Sequence, residues 1–197
     1  MGLEQYAAND SILGRSYQDW TRKWWEWWCT PAKMPMHAEN VDGITLVTTK
    51  AMERYDTSLF KTTDNKASRG NPLLFPVDKW LSVGFAFATT DQQLKDIATW
   101  RMGMLTKVDV TIDGKKLTPT SIQTEPFNLT LGHDIMYPEV GGTDKIVKGK
   151  YRAVGDGYWI FLKPNVLEVG HHLLEAQAGC QTGVLTLNAE HLLEVIE

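Results

Sequence analysis

The sequence predicts a mainly β protein: a β-sandwich of jelly-roll or immunoglobulin-like kind, with a Trp-rich helix near its N-terminus and one further short helix. Three observations predict it. Five of the eight tryptophans lie between residues 20 and 28, most of them at helical spacing. From Ile44 onward, short apolar runs are punctuated by Gly and Pro turns. The 197 residues fit one domain, which at this length buries roughly 70 % of its unfolded surface and needs no disulfide or metal staple.

Residues 1–15 have no periodicity and read as an extended N-terminal arm; residues 16–197 read as a single β-sandwich domain that includes the Trp-rich helix at 16–29. Ser16-Tyr17-Gln18-Asp19 has the form of a capping box with a short acid. A helix follows from Tyr17 to Trp28, ended by Pro31 and Pro35. Tyr17, Trp20, Trp24, Trp27 and Trp28 fall in a wedge of roughly 100° at 3.6 residues per turn, with Trp25 off it. That wedge is expected to seal the open edge or end of the sandwich.

Strands are expected at Ile44 to Thr49, at Asn71 to Val77 and at Val83 to Ala88, with a polar surface loop from Ala51 to Gly70. Thr90 as N-cap, with Gln93 three residues on, opens a helix from Asp91 to Met102; its narrow face of Leu94, Ile97, Ala98 and Arg101 suits a sheet surface. Lys107 to Ile112 alternates, and Asp113-Gly114 turns it into Lys115 to Thr118. Further strands are expected at Phe127 to Leu131, Tyr158 to Lys163, His171 to Ala178 and Val184 to Ile196. Gly141-Gly142 and Gly155-Asp156-Gly157 read as turns, with Asp156 bonding its own backbone.

A net charge of -4 and 22 % charged residues argue against a nucleic-acid or membrane-surface footprint, which needs clustered Lys and Arg. No apolar run reaches the ~18 residues of a membrane span. Cys29 and Cys180 lie far apart in sequence and are expected to be buried thiols, with pairing left open. The N-terminus has neither a basic nor an apolar leader segment, so secretion is expected only if a signal sequence has been removed.

Several blocks occur in a recognisable order: Trp20-x3-Trp24-Trp25-x-Trp27, Leu74-Phe75-Pro76-Val77, a strand through Asp113-Gly114, then Asp156-Gly157-Tyr158-Trp159-Ile160-Phe161-Leu162-Lys163-Pro164 and Gly170-His171-His172. The chain thereby resembles a family of uncharacterised bacterial proteins, often secreted, with relatives in bacteriophage and metagenomic sequences. The resemblance spans most of the chain in scattered blocks, and the Asp-Gly-Tyr-Trp block is the most specific. It implies no activity and no site residue. The secreted members begin with a signal peptide and carry extra cysteines in their first half, and this chain has neither. That difference implies assembly in the cytoplasm or in a virion.

Catalytic spacing is missing from the sequence. His171 and His172 are adjacent in a strand, so they face opposite sides; His37, His133 and His191 are isolated, and no HExxH, CxxC or G-x-S-x-G occurs. Glu125, Asp134, Glu139 and Asp156 have no pairing that sequence reveals. Asn128-Leu129-Thr130 forms a glycosylation sequon inside a strand. No metal and no cofactor is expected, and no enzymatic role. The expectation is a structural or assembly protein, of the kind that decorates or cements a bacteriophage capsid, with identical subunits or a capsid protein as partner. The arm and the Ala51 to Gly70 loop would reach neighbours, and Trp25, Trp28, Trp80 and Trp100 are the candidate contacts. The alternative is a carbohydrate-binding sandwich that stacks a glycan on exposed Trp25, Trp80 or Trp100; an enzyme would need a site assembled from loops.

Overall fold

In the computed structural model, residues 3–48, 60–84, 90–136, 145–180 and 185–197 are described. The chain opens with a small hairpin, β1 (Ser11–Ile12) and β2 (Arg15–Ser16), followed by α1 (Tyr17–Cys29), β3 (Glu39–Val41), β4 (Ile44–Leu46), β5 (Phe60–Ser68), β6 (Leu73–Val83) and α2 (Asp91–Met102). Then come β7 (Leu105–Ile112), β8 (Lys115–Leu117), β9 (Thr120–Gln123), β10 (Phe127–Leu131), β11 (Ile135–Met136), β12 (Lys145–Ile146), β13 (Gly149–Leu162), β14 (Gly170–Cys180) and β15 (Leu185–Ile196).

Two sheets form the mainly β, sandwich-like body. The six-stranded sheet runs β10-β13-β6-β4-β3, with β9 joining the same edge of β13 as β10. The five-stranded sheet runs β5-β15-β14-β7-β8. Pairing is antiparallel except for β4 with β6 and β5 with β15. Leu73, Phe75, Val77, Ile160 and Leu162 of the first sheet pack against Val110, Ile112, Leu174, Ala176, Leu193 and Val195 of the second. The alternation along β13 sends Trp159 and Phe161 to the opposite face, where they meet Tyr17, Trp20, Trp24, Trp25 and Trp28 of α1.

α1 therefore does not close an edge or end of the sandwich, as its wedge suggested; it covers the outer face of the six-stranded sheet and makes a third layer. Burial explains the correction. Tyr17, Trp20, Thr21, Trp24, Trp25, Trp28 and Cys29 are all buried, an arc of about 180° on the helix rather than 100°. Trp25 lies inside that arc. Trp27, at its rim, is only half-buried and donates its indole N–H to Glu39 Oε2 at 2.9 Å.

The ends of α1 are fixed by short contacts. Ser16 Oγ accepts the Asp19 amide at 3.0 Å and donates to Asp19 Oδ2 at 2.7 Å, an N-cap that satisfies an otherwise orphaned amide. At the other end, Gly132 N donates to Cys29 O at 2.9 Å. A Cβ on Gly132 would collide with the Thr30 carbonyl, so only glycine lets this loop approach the helix end.

Pro76 stands inside β6, where a proline costs a ladder bond. It is tolerated because the register between β6 and β13 shifts here: Asp78 pairs with Tyr158 and Pro76 with Trp159, leaving Val77 as a bulge. The bulge flips the pleat. Leu73, Phe75 and Val77 face the second sheet, whereas Leu81 and Val83 beyond it face α1. Trp80 is turned to the far side, under Leu94, Ala98 and Met102 of α2. α2 thus roofs the part of the first sheet that the second sheet leaves bare, and it has the expected bounds and capping box. Arg152 holds its start with a bidentate pair, Nε to Asp91 Oδ1 and Nη2 to Oδ2, both 2.8 Å.

Other expectations need correction. Phe60–Ser68, assigned to a surface loop, is a nine-residue strand on the edge of the second sheet; residues 51–59 lie outside the described residues. The segments at Asn71 to Val77 and from Val83 merge into β6, and residues 85–89 lie outside the described residues, as do Thr49, Glu139 and Gly141-Gly142. Gly155-Asp156-Gly157 is no turn but the middle of the 14-residue β13. Residues 4–6 of the arm are bound within the molecule. Tyr6 N donates to Phe161 O at 2.8 Å, Lys163 N donates to Glu4 O at 3.1 Å, and the Tyr6 ring sits edge-on to Phe161 at 5.2 Å.

Gly155 links the two halves of this packing. A Cβ there would run into Nε1 and Cδ1 of Trp25, so the strand must be bare where the indole crosses it. Gly155→Ala is expected to destabilise the protein by about 3 kcal/mol through overpacking, measured by urea unfolding monitored with Trp fluorescence. Wild-type stability in this variant would contradict the packing.

Candidate functional site

The aromatic side chains were the sequence's main candidates, and the structure sorts them by exposure. Trp25 is 3 % exposed, Trp28 7 % and Trp80 9 %, whereas Trp100 is 58 % exposed. The expectation of a free indole face at Trp25 or Trp80 is therefore corrected: both rings are consumed inside the molecule. Trp25 is crossed by β13, and its ring meets Trp24 edge-on at 5.2 Å. Trp28 stacks with Trp24 at 5.8 Å and meets His133 edge-on at 6.1 Å. Trp80 lies beneath the Arg101 guanidinium, 4.8 Å from the ring centroid.

Trp100 stands on the last turn of α2, whose buried residues are Leu94, Ala98 and Met102. It points away from that stripe. Exposed Met104 follows it, with Arg101 Nη1 3.8 Å from the Met104 sulfur. The chain then enters β7, where Leu105, Thr106, Lys107 and Val108, together with Pro119 and Tyr158, line a cleft of about 240 Å³. An exposed indole and a cleft thus lie within one turn of helix and the first residues of the next strand. The sequence did not point to this cleft. Its trace was the mismatch between a long run ending at Ile112 and a return strand cut short before Pro119.

Asp156 is the acid that burial singles out. Desolvation pushes its carboxyl above the usual carboxylate range, against the hydrogen bonds from Gln123 and Gly157. Its oxygens are both engaged: Gly157 N donates to Oδ1 at 2.8 Å and Gln123 Nε2 to Oδ2 at 2.9 Å. The expected bond to its own backbone is present, but in a strand. Gln123 Nε2 also reaches Thr99 Oγ1 at 2.9 Å and Lys95 O at 3.3 Å. The group is a clamp between α2, β9 and β13, with no second carboxylate in its hydrogen bonds. Glu125 pairs instead with Lys95 at 2.7 Å, and Asp134 accepts the Lys148 amide at 2.7 Å.

The histidines are dispersed. His133 Nδ1 lies 2.8 Å from Pro31 O. His172 bridges Asp113 Oδ2 and Glu168 O, each at 2.7 Å, while His171 is exposed on the neighbouring position. His191 is buried with its ring edge-on to Phe75 at 5.4 Å, and burial, with a smaller contribution from Lys79, pushes it down to about 4. Among the described residues no group of three His, Cys, Asp or Glu side chains is placed to hold a metal ion. Cys29 is a free, buried thiol whose pKa burial raises, the opposite of an activated nucleophile; the Cys180 side chain lies outside the described residues. Lys79 extends beneath α1, its ammonium 5.1 Å from the Trp24 ring and 5.8 Å from that of Trp28, and burial lowers it to about 8. Among the described residues no helix is long and apolar enough to cross a membrane.

Two outcomes follow from these placements. Trp100→Ala is expected to change stability by less than about 0.5 kcal/mol, whereas Trp24→Ala costs about 4 kcal/mol, both read from denaturant midpoints. Acidification should act through His191. Its ring stays neutral in the fold below its ordinary value near 6.5, so the unfolded chain binds more protons and stability falls with pH. Between about pH 6.5 and pH 4 the wild type should lose about 3 kcal/mol relative to His191→Leu; parallel pH curves for the two proteins would contradict it.

No protein-family model matches the chain, and no curated protein matches it.

Proposed function

We propose that this protein is a non-catalytic assembly protein acting through protein–protein contacts, of the kind that decorates or cements a bacteriophage capsid. One observation carries the reading: of the eight indoles, Trp100 alone is left mostly to water, on the last turn of a short helix. Tryptophan placed this way is the residue type most enriched among side chains that dominate protein interfaces. The chemistry-bearing groups support the same reading, because Asp156, His133, His172 and Cys29 each serve a contact within the fold or lie buried in it. The partner is an identical subunit or a capsid protein, and the setting a virion or its cytoplasmic assembly.

A carbohydrate-binding role is the second reading. The same observation favours it: Trp100 offers an open ring face on which a sugar can stack. The readings part at the ligand. Sedimentation velocity of the purified chain, with mass spectrometry of purified particles, should find it self-associated or particle-bound, and Trp100→Ala should weaken that association at least tenfold, a hot-spot loss of about 1.4 kcal/mol or more. A strictly monomeric protein absent from particles contradicts the assembly reading. Glycan-array binding that disappears in Trp100→Ala would establish the sugar reading in its place.

A further inference from the structure

The cleft at the start of β7 is bordered by four consecutive residues of one strand, Leu105 to Val108. That is the mark of a strand edge facing empty space. β7 has eight residues, but its hairpin partner β8 has three and covers only Val110 to Ile112. The rest of β7 has β14 on one side and no strand on the other among the described residues.

The direction of the backbone groups follows from the ladder. Asp113 N donates to Leu173 O, across to β14, at 2.9 Å. In an antiparallel pair the bonded positions alternate. Thr111, Asp109 and Lys107 therefore aim at β14, while Val110 and Val108 aim the other way; Thr106 is the extra residue of a register shift, where Gly179 pairs with Lys107 and Cys180 with Leu105. Val110 pairs with Leu117 of β8. The position that would continue the ladder opposite Val108 is Pro119, which has no N–H. Thr118 is also engaged: the Gln5 carboxamide, turned to match it, donates to Thr118 O at 3.0 Å and accepts Thr118 N at 3.3 Å. β8 therefore stops, and the chain crosses into β9 of the other sheet. The N–H and C=O of Val108 are left facing the cleft, with Pro119 and Tyr158 as its other lining.

We propose that this edge is a docking site for an extended polypeptide segment, which adds as a strand beside Thr106–Val108. It deepens the assembly reading and rests on it in that the partner is a protein. An extended backbone supplies alternating donors and acceptors about 6.8 Å apart, the repeat of two strand residues. The side chains around the edge set the sequence it accepts. Val108 packs toward the apolar core with Tyr158, so the flanking partner residues are apolar and β-branched. Lys107 points to the outer face, where Asp109 is shared between Lys107 at 2.8 Å and Lys116 at 3.3 Å. Glu175, which accepts from Thr111 Oγ1 at 2.9 Å, is a second anion further along this face, and Lys107 is the cation nearest the open stretch, so an acid is favoured opposite it. A second copy of this chain pairing about a two-fold axis at Lys107, the middle of the open stretch, would set Lys107 against its own equivalent, a like-charge cross-strand pair. The charges thus select a different, acidic segment.

The probe is the blocked peptide acetyl-Thr-Val-Glu-Val-Thr-amide, titrated into the full ¹⁵N-labelled chain and followed by amide chemical shifts. Shifts should centre on Thr106 to Val108 and on Thr120 and Tyr158. Replacing the central Glu by Lys should weaken binding about fivefold, and Lys107→Glu should reverse that preference. Val108→Pro removes an outward-facing donor, leaves the β14 ladder intact, and should weaken binding about tenfold. Shifts centred elsewhere, no shifts at millimolar peptide, or equal binding by wild type and Lys107→Glu would overturn the proposal. Intact self-association or particle binding without these shifts removes the edge and leaves the assembly reading; peptide binding at the edge by a chain that never associates does the reverse.

Discussion

The fold depends on the burial of α1 against the middle of β13. Trp24 and Trp25 meet Trp159 edge-on at 5.4 Å and 6.4 Å, over a strand kept bare at Gly155. Each such ring removes on the order of 200 Å² from water. Two fully buried indoles hold fixed hydrogen bonds in this layer, Trp20 to Ile12 O at 2.7 Å and Trp24 to Val47 O at 2.9 Å. Those bonds set the depth and rotation of the helix, and they tie the β1–β2 hairpin and the end of β4 to it. Trp25 and Trp159 leave their indole N–H groups without hydrogen bonds, a cost that packing has to offset.

This dependence explains the length of the two central strands. β6 and β13 extend past the second sheet, and an uncovered extension would expose Trp80 and Val154. α2 covers them, and the Gln123 clamp and the Arg152–Asp91 pair keep it in place. The first sheet is thus closed by α1 on one face and by a sheet plus a helix on the other. The chain has material left over at the open face of Trp100 on α2 and along the edge of β7 that β8 does not reach. The interior uses the other candidate groups, Asp156, His133 and His172, in contacts of its own.

Elements with a local signature were legible in the sequence. The Thr90–Gln93 capping box set the bounds of α2, and Asp113-Gly114, both at positive φ, set the β7–β8 turn. Features decided by tertiary contact were not. The wheel of α1 separated Trp25 from Trp27, but helix depth decides which is buried, and depth comes from the partner strand. Gly155-Asp156-Gly157 looks like a turn by composition; one of its glycines is there for Trp25 and the triplet is strand throughout. Pro76 looks like a strand boundary and is a bulge neighbour instead. The cleft arises from β8 being too short to cover β7, a difference between two strands that no single window of sequence displays.

Native-state hydrogen exchange tests the central claim most directly. If α1 is the layer on which the first sheet depends, the indole N–H groups of Trp20 and Trp24 and the amides of α1 exchange only through global unfolding, with the same free energy as the amides of β13. Exchange of α1 through a local opening, clearly faster than β13 and independent of denaturant, would show the helix to be an appendage and contradict the account.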